Sequence, residues 1–168
     1  MILIISATLN KNLILGQKLE EILKNDFQQT TKLICLENFE FPLYSPVNQN
    51  KNGLPAKTQE LFELIHTSNK VIWVAPEYNG GVPPIVSNAI SWVSVCGNKN
   101  WREAFNEKIS LICGHAAGPA TKYFSSFKFQ LEHLGSIVLG RTIQTSDSNP
   151  INVESAKKIL NLFLSLKK

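Results

Sequence analysis

Residues 2–5, 32–36, 71–75, 109–113 and 136–139 are short runs dominated by Ile, Val and Leu at consecutive positions. A strand with one wet face alternates apolar and polar residues, whereas a strand apolar on both faces has to be covered on both. Between these runs the apolar spacing becomes that of a helix. Leu15, Leu19, Ile22 and Leu23 share one face, and so do Leu61, Phe62 and Ile65. Ile85, Ala89 and Val93 form a third stripe beside Val86 and Ile90; Phe124, Phe127, Leu131 and Leu134 form a fourth. Val153, Ala156, Ile159, Leu160 and Phe163 form a fifth. Strand and helix alternating five times predicts an α/β fold, a doubly wound five-stranded parallel sheet with helices on both faces. The commonest order for such a sheet is 2-1-3-4-5. That order opens a crevice at the carboxyl ends of strands 1 and 3, where the winding reverses. The loops after Ile5, Ala75 and Cys113 are therefore the expected functional ones.

Composition narrows the class. A length of 168 residues suits one domain spanning 1–168, large enough to bury a core without disulfide or metal staples. Cys35, Cys96 and Cys113 cannot all pair, and they form no CxxC. No Cys/His cluster has zinc-ligand spacing, so no metal site is expected. The three thiols read as small buried hydrophobes in a reducing compartment. No run reaches the ~18 apolar residues of a membrane span. Residues 1–5 lack a basic segment ahead of their apolar run, and read as a strand rather than a signal peptide. A cytoplasmic location is expected. The net charge of +4 is spread along the chain, and only Arg102 and Arg141 among the 17 cations are arginines. Neither nucleic acid nor a membrane surface is the expected partner. The pairs Lys157-Lys158 and Lys167-Lys168 read as solvated helix positions.

The first loop reads Ser6-Ala7-Thr8-Leu9-Asn10-Lys11-Asn12 and leads into a helix. Free N–H groups at a helix start bind phosphate, and Ser, Thr and Asn side chains add donors. The same residues also suit plain helix capping by Thr8, Asn10 or Asn12. The loop is neither a Walker A loop nor a GxGxxG turn. The loop after the third run reads Pro76-Glu77-Tyr78-Asn79-Gly80-Gly81-Val82-Pro83-Pro84. Its glycines allow close backbone approach to a ligand, and its prolines suit the first turn of the next helix. Tyr78 offers an aromatic face, and the turn at residues 79–81 presents backbone N–H groups to a flat heterocycle. An ordinary Gly- and Pro-punctuated turn is the bland alternative.

The stretch from Pro76 to Pro83, followed by Asn88-Ala89-Ile90-Ser91-Trp92, resembles the signature of the NADPH-dependent FMN reductase family. These are flavodoxin-like quinone, chromate and azo-dye reductases. Pro42-Leu43-Tyr44-Ser45-Pro46 with Gly53-Leu54-Pro55 resembles the family's segment between strand 2 and its helix. A third matching stretch is residues 109–113 followed by Gly114-His115-Ala116-Ala117-Gly118. The resemblance runs through nearly the whole chain in the right order. It departs at the first loop, where the family usually reads GSxRxxSxN. Here no Arg is present, the loop is about one residue shorter, Asn12 best matches the family Asn, and Lys11 is the only nearby cation. Ser91 also replaces the acid that commonly precedes the family Trp.

The resemblance implies an FMN-dependent NAD(P)H oxidoreductase. It implies a ping-pong cycle in which NADPH or NADH delivers hydride to the flavin and a quinone, flavin or other small acceptor then takes the electrons. Placing the reacting atoms supplies much of such catalysis, and no side chain is required as acid, base or nucleophile. By position on the motif, Pro76, Glu77, Tyr78, Asn79 and Gly80 surround the isoalloxazine. Ser6, Thr8, Asn10, Asn12 and backbone amides hold the phosphate, and Gly114 and His115 approach the pyrimidine edge. Backbone amides at 79–81 stabilise the electron-rich side of the ring. Family members are usually homodimers or homotetramers, which points to the Tyr44 segment and the helix carrying Trp92 as contact candidates; Trp92 equally suits the core, as Trp73 within the third strand does. Three rival readings share the fold. A flavodoxin-type electron carrier is usually strongly acidic, unlike this chain with its pI near 9.0. A response-regulator-like domain needs carboxylates after strands 1 and 3, where Ser6-Ala7 and Ala75-Pro76 stand. A flavin-free binding protein remains the third, because fold does not fix function.

Overall fold

The computed structural model describes residues 1–97 and 100–167. Strand β1 (Ile2–Ser6) leads into helix α1 (Lys11–Asn25), and β2 (Thr31–Cys35) runs into a 3-10 turn, Leu36–Phe39. Two helices follow, α2 (Pro46–Asn52) and α3 (Thr58–Thr67), and then β3 (Lys70–Val74) and α4 (Pro84–Ser94). The chain continues through β4 (Ile109–His115), α5 (Thr121–His133), β5 (Ile137–Val138), β6 (Ile143–Thr145) and α6 (Val153–Ser165). The strand order is β2-β1-β3-β4-β5, with β6 also on β4, and every pairing is parallel. The expected flavodoxin-like winding is therefore present.

The two faces carry separate cores. Leu3, Ile5, Val71 and Trp73 face α3, α4 and α5, where Trp73 meets Phe127 edge-on at 5.4 Å. Ile2, Ile4, Ile72 and Val74 face α1 and α6, through Leu15, Leu19, Leu160 and Phe163. Alternate residues of one strand thus enter opposite cores, which is why the strand runs are apolar throughout.

The structure departs from the sequence expectation in two places. The fifth strand position holds two short strands in line: β5 pairs Ile109 and Ser110, and β6 pairs residues 113–115. The expected run 136–139 supplies only the first. Helix α2 was not expected; it has no buried residue, so no apolar stripe announces it. Ser45 caps its start by accepting from the Asn48 N–H. Lys157 and Lys158 lie in α6, Lys167 follows its end, and Lys168 lies outside the described residues.

Candidate functional site

The carboxyl ends of β1, β3 and β4 are laced together by backbone bonds. The Ala7 N–H donates to the Val74 carbonyl at 2.8 Å, and the Ala75 N–H to that of Cys113 at 3.1 Å. Gly114 makes the second approach possible, since a Cβ there would lie 2.3 Å from the Ala75 carbonyl oxygen. Asn12 is the cross-tie. Its Oδ1 accepts from the His115 N–H at 2.8 Å, and its Nδ2 donates to the His115 carbonyl at 3.2 Å. The start of α1 is thereby clamped to the end of β4, and the Asn12 carboxamide is engaged on both sides while 2% exposed.

The first loop folds on its own side chains. Ser6 is fully buried and its hydroxyl donates to the Thr8 carbonyl at 2.8 Å. The Thr8 hydroxyl donates to Asn10 Oδ1 at 2.7 Å, and the same oxygen caps α1 by accepting from the Asn12 N–H. The most outward groups of this loop meet two carboxylates. The Leu9 N–H donates to Glu37 Oε2 from the 3-10 turn after β2. The Lys11 ammonium pairs with Asp147 at 3.0 Å. Lys11 and, secondarily, His115 hold the Asp147 carboxyl below its ordinary range. An anion on a loop amide is the arrangement that a helix start favours.

The second loop is a tight turn. Tyr78 and Gly81 exchange backbone bonds at 3.3 and 2.9 Å, and Asn79 and Gly80 have φ of 50° and 75°. Positive φ at both central positions is the mark of a type I′ turn, for which Asn-Gly is the preferred pair. Among the described residues, neither the Asn79 nor the Gly80 N–H donates to another group, so the turn's tip offers two amides. Glu77 anchors the loop from below by accepting from the Tyr123 N–H at 3.0 Å. It thereby caps α5, whose own N-cap, Ala120, has no side chain able to do so. Pro76 is buried, and the exposed Tyr78 ring is free to face a ligand. The Lys122 side chain crosses Gly80: its Cδ would lie 3.2 Å from a Cβ at that position.

The third loop divides. Gly114 turns toward Tyr123 on the α5 side. The His115 ring turns to the other face of the sheet, with Nδ1 3.0 Å from Thr145 Oγ1 and Nε2 3.5 Å from Asp147. It lines a cavity of about 420 Å³ with Lys11, Ile14, Lys18 and Ile151. Ser6, Thr8, Asn10, Asn12, the residues of the turn and Gly114 thus gather at one end of the sheet, whereas the His115 ring faces away from the turn. Sequence reasoning missed Glu37, Asp147 and Lys122; Lys11 was noticed only as a nearby cation. His66 stacks on Phe62 at 5.4 Å and His133 lies 5.2 Å from Trp101, both away from these loops. Burial raises the thiol pKa values of Cys35, Cys96 and Cys113, most strongly at Cys113, so all three stay protonated and unreactive at neutral pH.

Residues 1–147 match the NADPH-dependent FMN reductase family. The chain belongs to that family. Among curated relatives, the quinone reductase of Escherichia coli K12 is 42% identical over 55 residues, 33% of this chain and 29% of that protein. An uncharacterized protein of Mycoplasma pneumoniae is 28% identical over 95 residues, 56% of this chain and 55% of that one. The matches span less than two thirds of either relative. Among solved structures, the flavoenzyme NAD(P)H:(acceptor) oxidoreductase FerB of Paracoccus denitrificans superposes with a TM-score of 0.73. It is 18% identical, and the match covers 98% of this chain and 93% of that one. An NADH:FMN oxidoreductase in apo form gives 0.71 at 13% identity over 99% and 90%. At such identities these two likenesses establish the fold alone. The family signature falls on the type I′ turn, and the family's departure falls on the loop guarded by Glu37 and Asp147.

Proposed function

We propose that this family member is a single-domain, FMN-dependent NAD(P)H oxidoreductase that passes electrons to a quinone, flavin or other small acceptor. Family membership, with two undonated amides on the Asn79–Gly80 turn at the switch point, carries this reading. FMN, when bound, supplies the hydride chemistry. The chain's part is to bind and orient. Pro76, Glu77, Tyr78, Asn79 and Gly80 form the wall for the isoalloxazine. The amides of Asn79 and Gly80 favour electron density on the ring edge they meet, as donors in an oxyanion hole do. Lys122 adds a positive charge above the same turn.

Ser6, Thr8 and Asn10 shape the first loop so that its outer amides face the phosphate, and Asn12 fixes that loop against β4. Gly114 lets β4 close on β3, and His115 contributes its backbone to the Asn12 clamp. No side chain is assigned a catalytic proton. One donor and one acceptor visiting the same open site in turn gives a ping-pong order.

We further propose a homodimer or homotetramer in the cytoplasm. The segment between the 3-10 turn and α3 exposes Leu43 and Val47 at 80% and 76%, which suits a subunit contact. Tyr44 beside them rests edge-on against Trp92 at 5.1 Å; Trp92 itself is fully buried, its indole N–H donating to the Pro42 carbonyl, and is a core residue rather than a contact. Buried reduced thiols fit a reducing compartment, and no helix of the described residues is long and apolar enough to cross a membrane.

Anaerobic addition of NADPH to FMN-loaded protein tests the reading. Loss of the flavin's visible absorbance faster than for free FMN is the expected result. A spectrum that stays yellow with both NADPH and NADH would instead make the protein an electron carrier.

A further inference from the structure

We propose that Glu37 is a specificity-determining residue that sets how strongly the protein prefers FMN to riboflavin. The inference rests on the first loop receiving the flavin's 5′ end. The loop's side-chain donors and the amide of Leu9 are already matched inside the chain, whereas among the described residues the Asn10 and Lys11 N–H groups donate to no other group. The Ser6 and Thr8 hydroxyls donate to the Thr8 carbonyl and to Asn10 Oδ1. Asn12 is engaged with His115. The Leu9 N–H donates to the Glu37 carboxylate, and the Lys11 ammonium pairs with the Asp147 carboxylate. No Arg stands in the loop to add a charge that these carboxylates do not already meet.

The two ligands differ only at that end. The 5′-phosphate of FMN carries a charge of about −1.5 to −2 at neutral pH. A phosphate on this loop either displaces Glu37 from the Leu9 amide or settles on the neighbouring amides, and in both cases lies near that carboxylate, like charge against like. The 5′-hydroxyl of riboflavin is neutral and donates, so a carboxylate is an acceptable partner for it. Glu37 therefore weakens FMN selectively, while the isoalloxazine contacts, common to both ligands, are untouched. Glu37 is exposed and takes no part in either core, so its replacement leaves the fold intact.

The experiment measures dissociation constants for FMN and for riboflavin on apo protein, by quenching of flavin fluorescence. Glu37→Gln keeps an acceptor for the Leu9 N–H and removes the charge. The expected result is FMN binding tightened about five- to tenfold, with riboflavin changed less than twofold. Glu37→Asp retains the charge and should leave the ratio near that of the unaltered protein. Asp147→Asn should shift the ratio in the same direction by less, since the Asp147 charge is already offset by the Lys11 ammonium at 3.0 Å. A FMN-to-riboflavin ratio that stays within twofold in Glu37→Gln overturns the inference and leaves FMN binding standing. Failure of the unaltered protein to bind either flavin overturns both this inference and the flavin reading.

Discussion

The two ends of the sheet deal with charge in opposite ways. At the amino end the helices present their C-termini, and buried or half-buried lysines meet them. Lys70, the first residue of β3, donates to the Phe163 carbonyl at 2.9 Å and to that of Leu166, closing α6. Lys108, just before β4, donates to the His66 carbonyl at the end of α3. These contacts are internal, and they place cations where the helix dipole favours them. At the carboxyl end the partners are exposed carboxylates on Leu9 and Lys11, or, at Asn79 and Gly80, no protein group among those described. The difference is that one end satisfies its polar groups with internal partners, whereas the end proposed as the site leaves them to groups a ligand can replace.

Four changes break or sharpen that contrast. The largest effect is that of Gly114→Ala, which lies at the carboxyl end yet acts on the fold. A Cβ 2.3 Å from the Ala75 carbonyl has to push β3 and β4 apart. The expected loss is about 3 kcal/mol in urea unfolding, as for an overpacked core. Lys70→Met comes next. Orphaned carbonyls at the end of α6 should cost about 2 kcal/mol of stability, with FMN affinity unchanged; a loss of affinity would mean that the two ends are coupled. Gly80→Val does the reverse. At φ 75° a β-branched residue is strained, and its Cβ meets Lys122 in front of the turn. FMN should bind about tenfold more weakly, roughly 1.4 kcal/mol, while the far-ultraviolet dichroism is kept.

The smallest effect concerns alkali. Folding raises the pKa of Cys35, Cys96 and Cys113 above the ordinary 9.0 by burial. The unfolded chain then loses these protons first, so stability is full below pH 9 and declines as pH rises above it. Replacing Cys113 by Ala should flatten part of that decline in pH-dependent melting and leave turnover intact.

The strands and the five helical stripes were legible because each is a local pattern repeated over several turns or residues. The split of the last strand position was not. Two short pieces separated by residues 139–142 are too brief for any period to declare itself, and only β4 gives them a common partner. Asn10 was readable as one of three possible caps, and the Asn-Gly pair as a turn, since both act on neighbouring backbone. Glu37 and Asp147 were not readable. Their partners lie 28 and 136 positions away in sequence, and nothing near either acid marks it. The direction of the His115 ring was hidden for a related reason. Residues at a strand end alternate faces, and one position decides between the α5 side and the α6 side.

The broken fifth position also bears on how copies of this protein can meet. An uninterrupted parallel strand at a sheet border is a template for adding another chain, edge to edge. Here that border is offered as a two-residue piece and a three-residue piece, too short to nucleate such growth. The opposite border, β2, is an unbroken five-residue strand, so the broken position removes this template from one edge of the sheet and leaves backbone pairing between copies a single edge to use.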